Sequence, residues 1–213
     1  MWPYWVMFLI PALMAVQESV RHQVLVNPWR LPTFQMPAVW WFVAVGLMLV
    51  VGWRFETGGD WYNYIRIFGR VEYSYSSLIW WRDDPGYRLL EWIAFKTDTG
   101  IYGVNFIAGI LFSVGVVVFC RHLPRPWLAL AVAVPYLVII LGMGYSRQGI
   151  ALGLVMIGTV YFSRGQSGRF IFWVFVAALF HKSAIIMLPF AALAGSKRRI
   201  TAIIWLSVIL LVA

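Results

Sequence analysis

Long apolar runs separated by short polar breaks dominate the chain. Within each run the apolar positions are continuous and do not alternate with polar ones. Continuous runs of this kind predict membrane-crossing helices rather than strands. We place seven spans along the chain, at residues 2–16, 38–53, 101–119, 126–141, 147–163, 170–193 and 200–213. The pattern therefore predicts an all-α, polytopic membrane protein, with a single integral membrane domain over residues 1–213.

The last of these runs, residues 200–213, is short for a span. A hydrocarbon core is about 30 Å thick, and an untilted helix needs about 20 residues to cross it. We therefore expect the natural protein to continue beyond Ala213.

Composition agrees with a membrane protein. Hydrophobic residues make up 62% of the chain and charged residues 12%, whereas a soluble domain has about 25% charged residues. The net charge of +9 is better explained by basic loops that contact membrane lipid than by nucleic acid. The single cysteine, Cys120, excludes an intrachain disulfide and a cysteine-based metal site.

Lysines and arginines in the loops predict the topology. The basic loops 17–37, 120–125 and 164–169 lie on one side if each span crosses once, and that side should be the cytoplasm. Residues 54–100 then face outward and contain seven of the eight carboxylates. This concentration predicts a folded extracytoplasmic segment with short amphipathic helices between spans 2 and 3.

The segment 170–193 conflicts with this topology. If it crosses once, Lys197, Arg198 and Arg199 lie outside, against the positive-inside rule. Either this span is broken or re-entrant around His181 and Lys182, or the rule is overridden here.

The stretch "RFETGGDWYNY" begins with Arg54 and ends one apolar run with a polar cluster. Asp60 follows two glycines where a helix could begin, so it could be an N-cap, or a functional carboxylate beside Arg54 and Glu56. Trp61 and Tyr64 share one face of that helix. Their rings could form a platform that binds sugars, or they could belong to a belt of aromatic residues at the membrane interface.

The stretch "RDDPGYRLLEW" offers a second group of carboxylates. Asp83 and Asp84 precede a proline and a glycine that favour a turn before a short helix. Tyr87 and Glu91 share one face of that helix. The helix could rest on the membrane surface, or the carboxylates could do acid–base chemistry, although adjacent ones rarely converge on one atom.

Two further polar groups interrupt apolar spans. Arg147 and Gln148 lie at the outward end of one span. Arg147 could anchor this end at the membrane boundary, or it could bind a phosphate group. His181 and Lys182 lie near the middle of another span. Ionisable groups at this depth indicate a cavity or a substrate path. The alternative is a structural histidine that forms a hydrogen bond between helices. The predicted topology places the other histidines on the opposite side, so no metal site is predicted.

These motifs together resemble the EpsG family of bacterial exopolysaccharide proteins, which are related in role to Wzy-type polymerases. The resemblance covers about residues 40–190 and rests on Arg54 followed by "GGDWYNY", then on "DPGYRLL", "SRQGIA" and "FHKSAI" in the family's order. Three positions depart from the family's usual pattern: Gly59 replaces a threonine, Asp84 a glutamate and Ser146 an apolar residue.

The resemblance implies a multi-pass, metal-independent glycosyltransferase of the bacterial cytoplasmic membrane that needs no cofactor. It would polymerise polyprenyl-pyrophosphate-linked oligosaccharides at the outer face, alongside other polysaccharide assembly proteins. We expect Asp60 as the base, with His181 as second choice, and Arg147 with Arg54 or Lys182 at the diphosphate. The other expected substrate-binding residues are Glu56, Trp61, Tyr64, Asp84, Tyr87, Glu91 and Gln148.

Two other functions stay open at this point. A transporter or flippase of lipid-linked sugars would also use charges inside the membrane, although no inverted repeat is visible in the sequence. A non-catalytic subunit of a polysaccharide synthase complex is the third possibility.

Overall fold

The computed structural model describes residues 2–25, 37–71 and 84–189, and every regular element in these ranges is helical. The helices are α1 (Trp2–Leu25), α2 (Ala38–Gly52), α3 (Trp61–Phe68), α4 (Pro85–Lys96), α5 (Gly100–Arg121), α6 (Pro126–Ala133), α7 (Ser146–Ser163) and α8 (Ser167–Ala178). A π-helical stretch (Val134–Gly142) continues α6, and a 3₁₀ helix (Lys182–Met187) follows α8. The predicted span 200–213 and the basic residues 197–199 lie outside the described residues.

Helix α5 is at the centre of the bundle and packs against α2 and α7 through glycines. A Cβ at Gly109 would lie 3.0 Å from the backbone nitrogen of Gly52 on α2. A Cβ at Gly115 would lie 2.2 Å from the carbonyl oxygen of Gly153 on α7. Because real Cβ atoms rarely lie 3.0 Å from backbone and essentially never 2.2 Å, these glycines allow the helices to touch directly, as small residues do between membrane helices.

The chain between α6 and α7 is irregular. Pro135 lies in the π-helical stretch, where its missing N–H leaves an intrahelical hydrogen bond unmade. The helical backbone is interrupted at Tyr145, and α7 begins at Ser146. We call residues 142–146 the α6–α7 bend.

Of the alternatives left open for residues 170–193, the break around His181 and Lys182 is the one observed, and residues 190–193 lie outside the described part of the chain. Helix α8 ends at Ala178, the backbone is extended at His181, and a short 3₁₀ helix follows. The peptide N–H of Gly86 donates a 2.8 Å hydrogen bond to the carbonyl of Leu179. The chain from α4 thus satisfies one of the carbonyls that the end of α8 leaves unpaired.

The lengths of the described helices can be compared with the length that each of the seven predicted spans requires. Of the described helices, α5 is both long and apolar enough to cross a membrane. Helices α2, α8 and the continuous α6–π helix are apolar and shorter.

Helices α3 and α4 are the short helices predicted in residues 54–100. Helix α3 buries Trp61 and Tyr64, and α4 buries Tyr87 and Glu91 completely while leaving Leu89 exposed. Leu90 and Ala94 are buried as well, so the face of α4 turned towards the protein carries Tyr87 and Glu91 among apolar residues. This orientation brings its functional groups towards α7.

Candidate functional site

A cleft of about 290 Å³ lies where the loop before α3, the start of α4, the start of α7 and the chain after α8 meet. Its walls combine carboxylates, amides, tyrosines, an arginine and a histidine. The lining residues are Asp60, Asn63, Tyr64, Ile67, Asp84, Tyr145, Arg147, Gln148 and His181. Polar groups of this density suit a hydrophilic ligand.

Two glycine contacts hold the walls together. Gly58 has a φ of +94°, and a Cβ there would lie 2.5 Å from Cα of Gly144 in the α6–α7 bend. A Cβ at Gly86 would lie 3.1 Å from the carbonyl oxygen of Leu179. The loop carrying Asp60 is therefore seated on the bend, and the turn after Asp84 is seated on the end of α8.

Arg147 has few partners for a cation in this position. Its Nη1 donates to Asp84 Oδ2 at 3.4 Å, and its guanidinium lies 4.8 Å from the centre of the Tyr87 ring and 5.8 Å from that of Tyr64. Its side chain is 18% exposed, and Nε and Nη2 are buried without a hydrogen-bond partner in the described part of the chain. These two buried nitrogens of Arg147 thus have hydrogen bonds unmade, which an acceptor such as an anion would satisfy.

Asp84 connects Arg147 with His181. The backbone at Asp84 is left-handed, with a φ of 42°, and the residue is buried although it precedes α4. Its Oδ2 lies 3.9 Å from His181 Nδ1, within ion-pair reach of a protonated imidazole and beyond a hydrogen bond. One carboxylate therefore faces two potential cations at the cleft.

Asp60 occupies the N-cap position of α3, but its side chain makes no capping hydrogen bond. Its φ of −96° and ψ of 4° also differ from the extended backbone of a usual N-cap. The carboxylate lines the cleft instead. The position therefore matches the cap hypothesis, and the side chain is left for other interactions.

Arg54 lies outside this cleft. It is 4% exposed and donates from Nη1 to the carbonyls of Gly142 and Met143. From Nη2 it donates to Asn105 Oδ1 and to Ser146 Oγ. All of these acceptors are neutral groups of α5 and the α6–α7 bend.

Comparison with known proteins gives the family. A model of the EpsG family, described by that name, matches residues 38–213. The chain belongs to the EpsG family. No curated protein and no solved structure matches it. Family membership, together with the apolar helix α5, makes this EpsG chain a membrane protein.

The structure of this EpsG protein gathers six of the residues predicted from the sequence at the cleft. They are Asp60, Tyr64, Asp84, Arg147, Gln148 and His181. Tyr87 and Glu91 lie behind this wall, with the Tyr87 ring against Arg147 and both side chains fully buried. These eight residues therefore lie together in one region of the structure.

Four predicted residues lie elsewhere. Trp61 is buried, with its ring centre 6.0 Å from that of Phe55 and 6.2 Å from that of Tyr102, so it packs rather than forms a platform in the cleft. Glu56 and Lys182 are exposed and do not line the cleft. Arg54 is the fourth, buried in the bend.

Glu91 is the most enclosed carboxylate among the described residues. Its Oε2 accepts a 3.0 Å hydrogen bond from Arg88, and its Oε1 is buried with no hydrogen-bond partner in the ranges that the structure describes. Burial raises the pKa of Glu91, against the opposing effects of Arg88 and Arg147. Burial likewise raises the pKa of Tyr87, with smaller contributions from Tyr64 and Glu91.

Sequence reasoning missed several polar residues near the site. Asn63 lines the cleft three positions after Asp60, a spacing that places both on one face of α3. Asn105 and Ser146 accept hydrogen bonds from Arg54; Asn105 carries no charge that would have singled it out, and Ser146 stands out in the sequence only as a departure from the family's pattern, without a role. The described residues contain no group of three or more His, Cys, Asp or Glu side chains that could hold a metal ion.

Proposed function

We propose that this EpsG protein polymerises polyprenyl-pyrophosphate-linked oligosaccharides, as a multi-pass protein of the bacterial cytoplasmic membrane with its cleft at the outer face. The observation that carries this proposal is Arg147, whose side chain lines a polar cleft and whose Nε and Nη2 have no hydrogen-bond partner among the described residues. A guanidinium matches the paired oxygens of a phosphate. Family membership supports an exopolysaccharide substrate.

The reaction is a glycosyl transfer between two lipid-linked glycans. An acceptor hydroxyl oxygen forms a bond to the anomeric carbon of the donor, and the bond from that carbon to the diphosphate oxygen breaks. The leaving diphosphate takes the bonding electron pair, and the hydroxyl proton passes to a base in the cleft. Catalysis therefore requires positive charge at the departing diphosphate and a proton acceptor at the hydroxyl.

We assign these tasks to residues that already line the cleft. Arg147 contacts the diphosphate, and Asp60 takes the proton, because its carboxylate lines the cleft without serving as a helix cap. Asp84 orients Arg147 through the 3.4 Å contact. Asn63 and Gln148 hold sugar hydroxyls. His181 offers a second proton acceptor, and a larger loss in His181→Gln than in Asp60→Asn would transfer the role of base to it.

The deciding experiment uses purified protein in lipid vesicles with lipid-linked repeat units. Longer glycans on the lipid carrier support the polymerase. Movement of the substrate between leaflets without elongation would identify a transporter. If neither is observed, and elongation occurs only when other assembly proteins are added, the protein is a non-catalytic subunit.

A further inference from the structure

We propose that Arg54 is a positioning residue, which holds the α6–α7 bend in the shape that presents Arg147 to the cleft. The inference rests on the proposed function for its catalytic consequence. Its structural part, that Arg54 holds the bend, can be tested without any activity.

The hydrogen bonds of Arg54 reach both sides of the bend. On one side Nη1 donates to the carbonyl of Gly142, at 2.9 Å, and to that of Met143. On the other side Nη2 donates to the hydroxyl of Ser146, the residue directly before Arg147. One rigid, planar group therefore fixes the end of one helix relative to the start of the next.

The carbonyl acceptors explain why a cation is stable at this place. Gly142 and Met143 end the helix, where carbonyls lack intrahelical partners and the helix dipole is negative. Arg54 satisfies these carbonyls and pairs with no carboxylate among the described residues. The backbone of the bend itself thus replaces the usual counter-ion.

Two further contacts fix the network in the bundle. Asn105 on α5 accepts from Arg54 Nη2 at 3.0 Å and from the Ser146 hydroxyl at 3.3 Å. Gly58, four residues after Arg54, packs on Gly144 in the middle of the bend. The segment 54–58 therefore holds the bend at two points, and α5 supplies a fixed support.

The same geometry argues against direct substrate contact by Arg54. Both of its terminal nitrogens already donate to protein acceptors, the residue is 4% exposed, and it does not line the cleft. Its influence on a substrate must pass through the residues that it holds. Arg147, which follows Ser146 directly and lines the cleft, is the one with donors to offer.

The structural part is tested by hydrogen exchange of the backbone amides from 142 to 149 in Arg54→Gln. We expect exchange in this stretch to become at least about tenfold faster, while α5 keeps its protection. Arg169→Gln, which removes an exposed arginine at the start of α8, is the matched control and should leave the bend unchanged. Unchanged protection of the bend in Arg54→Gln would overturn the inference. If Arg54→Gln does not fold, Ser146→Ala removes one acceptor and tests the same bend.

The catalytic part is tested by a double-mutant cycle of elongation rates with Arg54→Gln and Arg147→Gln. We expect each single variant to lower kcat by about 10- to 100-fold. Because Arg54 acts through Arg147, Arg54→Gln should lower kcat less than about twofold further when Arg147 is already replaced. Independent losses that multiply in the double variant would overturn the inference. If wild-type protein elongates no glycan, the proposed function fails, and the exchange experiment still decides the structural role.

Discussion

Two arginines flank the bend between α6 and α7, and their surroundings differ. Arg54 is 4% exposed and donates to four acceptors of the protein. The Arg147 side chain is 18% exposed and makes one 3.4 Å contact with Asp84, and its Nε and Nη2 have no hydrogen-bond partner in the described part of the chain. A cation with all terminal donors occupied stabilises structure, whereas one with free donors in a cleft is suited to bind a ligand.

This difference separates a bend region, built around Arg54 and Gly58, from a cleft region, built around Arg147 and Asp60. We expect substitutions in the bend region to lower stability and activity together. In the cleft region we expect them to lower activity while the fold persists. Each of the following predictions tests one side of this division.

The largest effect is expected for Asp60→Asn in the cleft region. Loss of a general base typically lowers kcat by about 10²- to 10⁴-fold, and the melting temperature should stay unchanged because the side chain makes no capping hydrogen bond. Elongation rates and thermal unfolding measure the two quantities. Glu56→Gln, an exposed carboxylate on the same loop but outside the cleft, is the control. A wild-type rate in Asp60→Asn would remove Asp60 from the mechanism.

An intermediate effect is expected for Gly58→Ala in the bend region. Its φ of +94° disfavours any side chain, and the added Cβ would lie 2.5 Å from backbone of Gly144. We expect a loss of about 1–3 kcal/mol in unfolding free energy, together with a lower elongation rate. Thermal unfolding and the elongation assay measure both.

Gly59→Ala provides the matched control for Gly58→Ala. A Cβ at Gly59 meets no atom within 4 Å, and its backbone is not in the left-handed region. Equal losses of stability in the two variants would show that the close contact with the bend is unimportant.

The smallest effect is expected for Glu91→Gln, behind Arg147. Because burial raises the pKa of Glu91 in the folded state, the folded protein holds a proton that the unfolded chain releases above about pH 4.3. The stability of the wild type should therefore fall as pH rises from there through the raised pKa. Glu91→Gln should lack this part of the decrease. For each kcal/mol of stability that the wild type loses in this way, the melting temperatures of the two proteins should change relative to each other by about 2–4 °C.

The pH dependence of Glu91→Gln has its own control. Glu56→Gln, which changes an exposed carboxylate outside the cleft, is measured beside it. Identical slopes in Glu91→Gln and wild type would contradict a raised pKa at Glu91.

The sequence located much of the cleft because charged groups are rare in this chain. Arg147 and His181 interrupt or end apolar runs, and Asp60 and Asp84 lie in the carboxylate-rich segment 54–100. The structure brings all four to the cleft. The break after α8 is one of the two alternatives that the sequence leaves open, since His181 and its neighbour disfavour a continuous apolar helix.

The direction of individual side chains could not be predicted. Arg54 and Arg147 both lie beside apolar runs, and only their three-dimensional neighbours distinguish them. The acceptors Asn105 and Ser146 are uncharged and lie 51 and 92 positions from Arg54. The Trp61 ring contacts Phe55 and Tyr102, and these contacts depend on how α3 packs on α5.

The most direct test is the rate of glycan elongation by Arg147→Gln in vesicles that contain lipid-linked repeat units, measured beside its thermal unfolding. We expect kcat to fall by about 100-fold, as for other groups that stabilise developing negative charge, while the melting temperature stays within about 2 °C of wild type. Arg169→Gln should retain the wild-type rate. Elongation by Arg147→Gln at the wild-type rate would contradict the proposal that this cleft binds the departing diphosphate.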